Sequence, residues 1–259
     1  MIDAVLFDLG DTIIDFGVGR REAEVLFRQG AKLTYQDLRT RQVVGLPSFE
    51  RYFKVHYRIM QRAYIWSKLS RRDFSYDEVL KRAAFKLELK LSAEDIHRLA
   101  RLWYQPINLA SNIDTGVAAM LRQLRNAGTK MGIVSNTLVP GHCLDHHLES
   151  EGLLEFFPVR VYSSAVRFRK PHPRIFELAL ELVGAKAHRT VFIGDLLKAD
   201  IAGAKKAGMH TIWKPAHKPN GHMPRTPRRH AADLIIPRVT QLTDALPHFG
   251  WRLPPQVAG

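Results

Sequence analysis

Apolar and polar positions follow three successive patterns along the chain. Residues 2–7 are almost entirely apolar, as expected of a buried strand. Between about residue 15 and about residue 110, apolar positions instead recur every three or four residues, which predicts amphipathic helices. Beyond residue 111, short apolar runs alternate with amphipathic stretches. We therefore expect a strand, then a helical segment, then a region in which strands and helices alternate.

Four helix-start signals occur between residues 15 and 110, each a Ser or Thr followed within three residues by an acidic residue. They lie at Thr34, Ser48, Ser75 and Ser92. Ser75 and Glu78 have the spacing of a capping box, in which two side chains cap each other's backbone N–H groups. No convincing strand pattern interrupts these stretches, so we expect an all-helical unit.

The alternation after residue 111 predicts a parallel sheet with helices on both faces. Strand patterns such as "KMGIVSN" and "TVFIGD" are separated by helix patterns such as "GVAAMLRQLRNAG" and "HPRIFELALELVG". The first strand has no helix of its own before the helical segment, so it is expected to join this sheet. We therefore predict an α/β fold. Its parts are a parallel, Rossmann-like core from residues 1–14 and 111–250, an all-helical domain of residues 15–110 inserted after the first strand, and a C-terminal tail of residues 251–259.

Composition and cysteine content are those of a folded protein in a reducing compartment. Apolar residues make up 46% and charged residues 25% of the 259 residues. The single cysteine, Cys143, excludes an intrachain disulfide. No apolar run is long enough to span a bilayer, and the N-terminus lacks the basic region and continuous apolar core of a signal peptide. We expect a cytoplasmic protein with no membrane association.

The charge is strongly positive. Lys and Arg number 39 against 25 Asp and Glu, which gives a net charge of +14. Such a field attracts anions without selecting one, and an Arg-rich composition without a functional role explains it as well. Residues 214–230 hold five Lys or Arg and no acid. We expect this segment to be a solvated loop or flap, with capture of an anion or nucleic acid as the alternative.

Four polar stretches each follow the end of a predicted strand. They are "FDLGDT" with Asp8 and Thr12, "IVSNT" with Ser135 and Asn136, "RFRKPHPRIF" with Lys170, and "FIGDLLKAD" with Asp195 and Asp200. In an open parallel sheet, ligands bind at the edge formed by the carboxyl ends of the strands. We therefore expect these stretches, although far apart in sequence, to meet at one edge.

The residue types in these stretches favour phosphoryl chemistry. Asp8 and Asp195 would be neighbouring carboxylates, and like charges that close require a cation between them. Oxygen ligands supplied by few protein groups suit Mg²⁺, which usually takes substrate phosphate oxygens as well. Asp200 could orient the ion or its waters from behind. An Asp nucleophile beside a divalent ion indicates phosphoryl transfer through an aspartyl-phosphate.

The remaining two stretches would bind the anion itself. Ser135 and Asn136 offer a hydroxyl, an amide and nearby backbone donors. Lys170 offers the compact positive charge that phosphoryl recognition often uses. The expected substrate is a small phosphorylated molecule, but its identity and the oligomeric state are not predicted.

In order, the four stretches resemble the four motifs of the haloacid dehalogenase-like hydrolase superfamily, of the phosphatase type. The helical segment is similar to that family's C1-type cap, which closes over the site and selects substrates. The resemblance implies that Asp8 is the nucleophile, and that it binds Mg²⁺ together with Asp195 and the backbone carbonyl of Gly10. Asp200 would complete the acidic motif.

The same resemblance implies roles for the phosphate-binding groups. Thr12 would support the nucleophile loop on the phosphate-binding side. Ser135, with Asn136 beside it, would hold the phosphoryl group, and Lys170 would neutralise its charge.

One residue departs from the pattern of the family's phosphatases. They usually carry a second Asp two residues after the nucleophile, as general acid and base, and this chain has Gly10 there. Loss of such a group lowers a rate by roughly 10²–10⁴-fold. A cap residue, a water or Asp11 could carry the proton, or the substrate could have a good leaving group. Alternatively, the protein is catalytically weak or silent and acts by binding an anion.

Dehalogenation is a third alternative, since it also starts from an Asp nucleophile without a second Asp. Dehalogenases of the family need no metal and lack the metal-binding acid of the fourth motif. Asp195 is present here in a clean "GD". The sequence therefore favours a Mg²⁺-dependent phosphatase.

The stretch "HCLDHH" raises the question of a zinc site, because it contains His142, Cys143, His146 and His147. Structural zinc sites use about four converging N or S ligands. A single helix presents only two or three, so we expect a partly exposed helix without zinc.

Overall fold

The structure, a computed structural model, describes residues 2–17, 20–70, 72–216 and 232–252. Most of the predicted basic loop 214–230 and of the tail 251–259 lies outside the described residues.

A six-stranded parallel sheet forms the centre of the fold. In chain order its strands are β1 (Ala4–Phe7), β2 (Lys130–Ser135), β3 (Val159–Tyr162), β4 (Thr190–Gly194), β5 (His210–Trp213) and β6 (Leu234–Ile235). Their spatial order is β3-β2-β1-β4-β5-β6, so the first strand lies in the middle. This is the predicted α/β, Rossmann-like sheet, and β1 joins it as expected.

Strand β1 is apolar at every position because both faces of the sheet are covered. Val5 and Phe7 belong to one buried cluster, and Ala4 and Leu6 to another on the opposite face. Successive side chains of a strand point to opposite faces, so a doubly covered strand reads as a continuous apolar run.

The helices of the sheet region lie between its strands and after the last one. They are α5 (Val117–Asn126), α6 (Gly141–Ser150), α7 (Ser163–Val166), α8 (Pro173–Val183), α9 (Ala202–Lys206) and α10 (Leu242–Ala245). A π-helical turn, Leu197–Ile201, precedes α9. In the stretch "VTQLTDALPHF", α10 is flanked by two short 3₁₀ turns, and the second of them contains Pro247.

Four helices lie between β1 and α5 in the described residues, and no strand of the sheet comes from the described part of residues 15–110. They are α1 (Arg20–Thr40), α2 (Phe49–Ser70), α3 (Tyr76–Lys86) and α4 (Ala93–Ala110), hereafter the α1–α4 segment. The chain returns beside its point of exit, because Asp15 and Asn112 exchange backbone hydrogen bonds of 2.8 and 2.7 Å. Stacked rings of Tyr76 and Trp103, 3.7 Å apart, help to join α3 to α4.

Three of the four helix-start signals are correct. Ser48 directly precedes α2, and Ser75 and Ser92 are N-caps. The Thr34 signal is wrong, because α1 runs through it and its buried hydroxyl donates to the Ala31 carbonyl within the helix.

Within the described residues, no helix is both long and apolar enough to cross a membrane.

Candidate active site

The nucleophile predicted from the sequence, Asp8, follows β1 directly, and its backbone N–H donates to the Ile193 carbonyl of β4 at 2.8 Å. Because β1 lies between β2 and β4, the residues that end these strands meet at one edge. A cavity of about 240 Å³ opens there. Its polar lining includes Asp8, Gly10, Asp11, Ser135, Lys170 and Asp195. Asn136 lines it as well, so residues from all four predicted stretches meet.

Lys170 joins two of the carboxylates. Its Nζ donates to Asp8 Oδ1 at 2.6 Å and lies 2.7 Å from Asp200 Oδ1. Burial of the ammonium lowers its pKa, but the carboxylates of Asp200 and Asp8 more than offset this effect, so the pKa of Lys170 is raised. The lysine is therefore a fixed positive charge within the cluster.

Asn136 holds the backbone that carries this lysine. Its Oδ1 accepts from the Lys170 N–H at 2.7 Å, and its Nδ2 donates to the Lys170 carbonyl at 2.9 Å. Both ends of the amide are thus engaged by one residue. Asn136 therefore positions the backbone of Lys170, in addition to its predicted contact with an anion.

An acidic cluster lies beside Lys170. Asp8, Asp195 and Asp200 each offer a carboxylate oxygen, and these atoms all lie within 4.8 Å of one another. Burial and the neighbouring Asp8 and Asp200 raise the pKa of Asp195 to about 9. Burial likewise raises the pKa of Asp200 to about 6, although Lys170 opposes this rise. One lysine does not balance three carboxylates, so the cluster favours a further cation.

The donor set fits a hard divalent ion. All three candidate ligands are carboxylate oxygens, which Mg²⁺ prefers, and the open cavity leaves room for waters and a substrate oxygen. Asp200 is the least free of the three, because its Oδ2 accepts from the Leu196 N–H at 2.8 Å and its Oδ1 contacts Lys170. These contacts support the prediction that Asp200 lies behind the ion and orients the ion or its waters.

Gly10 and Asp11 both line the cavity, but in different ways. A Cβ atom on Gly10 would lie 3.2 Å from the ring of Phe16, so a side chain there requires that ring to move. Asp11 has a left-handed backbone (φ 54°), and its carboxylate accepts from the Phe16 N–H at 3.4 Å. Burial, with the neighbouring Asp15, raises the pKa of Asp11. A second acid therefore does face the cavity, one residue after the position where the family pattern has it.

Thr12, like Asp200, is a predicted site residue that does not line this cavity. Its side chain is buried, and its hydroxyl has no hydrogen-bond partner among the described residues. It borders a separate depression that also contains Asp15 and Lys214. Its position behind the loop agrees with support of the nucleophile loop better than with contact to a phosphate in the cavity.

Two residues at the end of β5, not predicted from the sequence, hydrogen-bond to the backbone of site residues. Lys214 Nζ donates to the Asp11 carbonyl at 2.6 Å, and Trp213 Nε1 donates to the Asp195 carbonyl at 2.7 Å. Both stand at the carboxyl end of "HTIWK", the same edge as the four stretches. The rule that ligands bind at the carboxyl ends of parallel strands therefore points to these two residues as well. Lys214 was instead expected to lie in a solvated loop.

A larger cavity, of about 760 Å³, lies elsewhere, between α2, α3 and residues 72–74. Its lining mixes exposed apolar side chains with Arg and Lys, and among the described residues it has no cluster of carboxylates comparable with that at Asp8. Size alone does not identify a reaction site, so we assign the candidate active site to the smaller cavity, where the ionisable groups converge.

The fold and the residues at this edge are those of a hydrolase family. The family model of the haloacid dehalogenase-like hydrolases matches residues 2–208, and the chain belongs to this family. The resemblance seen in the motifs is thereby confirmed.

Individual relatives are named as phosphatases. The chain is 27% identical to the glyceraldehyde 3-phosphate phosphatase of Pyrococcus abyssi over 218 residues, which cover 82% of the chain and 81% of that relative. It is 34% identical to the pyrimidine 5'-nucleotidase YjjG of Escherichia coli over 125 residues, or 46% of the chain and 54% of that protein. The crystal structure of a HAD phosphatase from Thermococcus onnurineus has a TM-score of 0.61 and 24% identity, covering 98% of this chain and 100% of that one. The structural similarity supports the fold alone.

Proposed function

We propose that the protein is a Mg²⁺-dependent phosphatase that hydrolyses a small phosphorylated metabolite. The observation that carries this proposal is the contact of Lys170 with both Asp8 and Asp200 at the wall of a cavity that Asp195 also lines. Dehalogenation needs no such acidic cluster, so the cluster favours phosphoryl transfer. The modest cavity volume, about 240 Å³, favours a substrate with few atoms beyond the phosphate.

In the proposed reaction, an oxygen of Asp8 attacks phosphorus, the bond to the leaving alcohol breaks, and water later hydrolyses the aspartyl-phosphate. Lys170 holds Asp8 in place and balances the charge of the transferred group, while Ser135 donates to a phosphoryl oxygen. Asp8, Asp195 and the Gly10 carbonyl would hold Mg²⁺. When bound, the ion would supply positive charge to the phosphoryl oxygens.

Asp11 is the best-supported donor of the proton that the leaving alcohol needs. It lines the same cavity as Asp8, whereas Gly10 has no side chain to offer. Of the alternatives left open by the sequence, a water or a residue of the α1–α4 segment has no comparable observation in its favour. Asp11 therefore serves as the general acid and base in place of the missing second Asp.

We further propose that residues 15–110 form a cap domain, with residues 1–14 and 111–250 as the core and residues 251–259 as a tail. The paired backbone of Asp15 and Asn112 supports these boundaries, since it brings both ends of the segment together beside the cavity edge. A cytoplasmic location is proposed on the single buried cysteine.

The test is phosphate release from a panel of phosphomonoesters with and without Mg²⁺. The panel includes glyceraldehyde 3-phosphate and pyrimidine 5'-nucleotides, which follow from the names of the relatives. Asp8→Asn is expected to abolish release, while Asp3→Asn, a matched change at the other end of β1, leaves it intact. Release without Mg²⁺, or from Asp8→Asn, would contradict the proposal.

A second candidate function is anion binding without turnover, which the glycine at position 10 favours. In that case beryllofluoride with Mg²⁺ would bind and protect the fold, while no ester of the panel would release phosphate. Binding of nucleic acid through residues 214–230 would weaken steeply with added salt.

A further inference from the structure

Two histidines and an aspartate converge where the α1–α4 segment meets the sheet region. Asp77 lies in the first turn of α3, His97 in α4, and His142 in the first turn of α6. Each offers one metal-ligating atom, and the three atoms lie within 4.8 Å of one another. The rings of His97 and His142 are 4.5 Å apart between centroids. None of the three belongs to the candidate active site.

The contact between His142 and Asp77 is longer than a charge-assisted hydrogen bond. His142 Nε2 lies 3.4 Å from both carboxylate oxygens of Asp77. A charge-assisted hydrogen bond between such groups measures about 2.7–2.9 Å. Two ligands that share a tetrahedral zinc ion, each about 2.0–2.1 Å from it, are separated by about 3.3 Å. The observed separation therefore matches two ligands of one ion better than a direct bond.

The donor types select the ion. Two imidazoles and one carboxylate suit Zn²⁺ and similar first-row ions, whereas Mg²⁺ prefers oxygen ligands alone. Three protein ligands would leave a fourth position for water. His97 is exposed at the surface, so an ion can reach the group from solvent.

The neighbouring cysteine fits a supporting position. Cys143 Sγ lies 3.5 Å from His142 Nδ1, the ring nitrogen other than the one that faces Asp77. A contact at this second nitrogen orients a ligating imidazole. Cys143 is buried and its Sγ contacts the ring nitrogen that does not face Asp77, so the cysteine is not counted as a ligand.

We propose that Asp77, His97 and His142 bind one Zn²⁺ ion, which would join the α1–α4 segment to the helix that follows β2. The pattern of α6 taken alone predicts no zinc site. Of its histidines, His146 is exposed beside Glu149, and His147 bonds with the Tyr104 hydroxyl. The partners of His142 come instead from two other helices, which a search along one helix does not find.

The experiment uses untagged full-length protein with Mg²⁺ in excess, so that the carboxylate cluster at Asp8 is occupied. Co²⁺ serves as the probe, because it absorbs visible light strongly in four-coordinate sites and weakly in six-coordinate oxygen sites. One equivalent is expected to produce the strong band, and one equivalent of Zn²⁺ to remove it. His97→Ala and His142→Ala should each lose the band, and His146→Ala, on the same helix as His142, should keep it.

Thermal unfolding gives a second readout. Zn²⁺ should raise the unfolding temperature of the unchanged protein and of His146→Ala, but not of His97→Ala. Because His97 is exposed, its replacement is expected to leave the fold intact, which circular dichroism checks. No strong band in the unchanged protein would overturn the proposal. So would a band that persists in the His97→Ala, His142→Ala double variant, since other histidines of the chain would then bind the ion.

Discussion

Asp11 occupies its position because its backbone is left-handed, a conformation that a non-glycine residue adopts rarely. Lys214 holds the carbonyl of the same residue at 2.6 Å. Strained residues of this kind occur where the surrounding structure fixes them, often at functional sites. The left-handed turn directs an acid toward the cavity although Gly10 occupies the usual position of the second Asp.

Replacement of Asp11 by Asn should therefore lower kcat by about 10²–10⁴-fold on alkyl phosphates, whose leaving group needs a proton. The loss should be much smaller on p-nitrophenyl phosphate, whose leaving group departs as a stable anion. Steady-state kinetics on both substrates measure the difference. Asp3→Asn, at the other end of β1 and away from the cavity, is the control and should affect neither substrate.

A companion variant separates Asp11 from a general loss of structure. Gly10→Asp in the Asp11→Asn background restores an acid near the cavity if the Phe16 ring moves away from its position 3.2 Å from the new Cβ. Recovery of the alkyl phosphatase activity is expected. Equal losses on both substrates in Asp11→Asn would instead mean that Asp11 only shapes the loop.

His56 is a buried titratable residue outside the candidate site. Its Nδ1 contacts the Tyr52 carbonyl at 3.1 Å, and its Nε2 has no partner among the described residues. Burial therefore lowers its pKa from 6.5 to about 4, although the Tyr52 contact opposes the shift. The folded state binds the proton less readily than the unfolded state, so acid favours unfolding through this residue.

Stability should accordingly fall as the pH drops below about 6.5, with a contribution from His56 of roughly 3 kcal/mol at pH 4. Urea denaturation between pH 7.5 and 4 measures this dependence. His56→Phe, with a ring of similar size that cannot ionise, should flatten the pH profile. The same pH dependence in both proteins would show that His56 does not contribute.

At the scale of elements, the starts of helices are the easiest features to predict from the sequence. Close contacts between two helices are the hardest. Ser92 is followed by a complete capping box with Asp95, which local sequence determines. Ser75 caps α3 through the Asp77 N–H, while Glu78 pairs with Arg167 instead of completing a box. No helix starts at Thr34, because burial of this part of α1 in the folded protein favours a continuous helix. Local patterns thus predict which helices exist better than they predict which side chains cap them.

Gly30 marks a close approach of α1 to α4 that no sequence pattern indicates. A Cβ atom there would lie 2.4 Å from the Trp103 carbonyl oxygen and 2.9 Å from its ring. Ala normally stabilises a helix by about 1 kcal/mol relative to Gly. At this position we expect the opposite sign, because α1 would have to move away from α4.

The expected effect of Gly30→Ala is a net loss of roughly 1–3 kcal/mol in the free energy of unfolding. Urea denaturation measures it, with Gln29→Ala on the exposed side of the same helix as the control. A gain in stability would mean that the two helices separate at little cost.

At the scale of the whole molecule, the parallel sheet and the meeting of four distant stretches could be predicted from the sequence. Both follow from alternating patterns and from the rule that parallel strands end at one edge. The roles of Asn136 and Lys214 could not be predicted, because each depends on contacts with a residue 34 or more positions away. For the same reason, His142 could not be linked to Asp77 and His97 from the pattern of α6.

The acidic cluster exists only in the folded protein, because folding brings its carboxylates together. Asp8 lies far from Asp195 and Asp200 along the unfolded chain, so an ion that needs both Asp8 and Asp195 binds the folded chain alone. Binding then stabilises the fold by about 2.7 kcal/mol when the ion is at 100 times its dissociation constant. We expect Mg²⁺ to raise the unfolding temperature in proportion to the logarithm of its concentration.

Asp195→Asn separates this linkage from a general effect of salt. The variant removes one of three neighbouring carboxylates, so without Mg²⁺ it should be at least as stable as the unchanged protein. It should also lose the response to Mg²⁺. Differential scanning fluorimetry over a Mg²⁺ series, at constant ionic strength, measures both effects. If the variant kept the full response, the ion would be stabilising the fold from a place other than the cluster around Asp8, and the proposed metal site would be wrong.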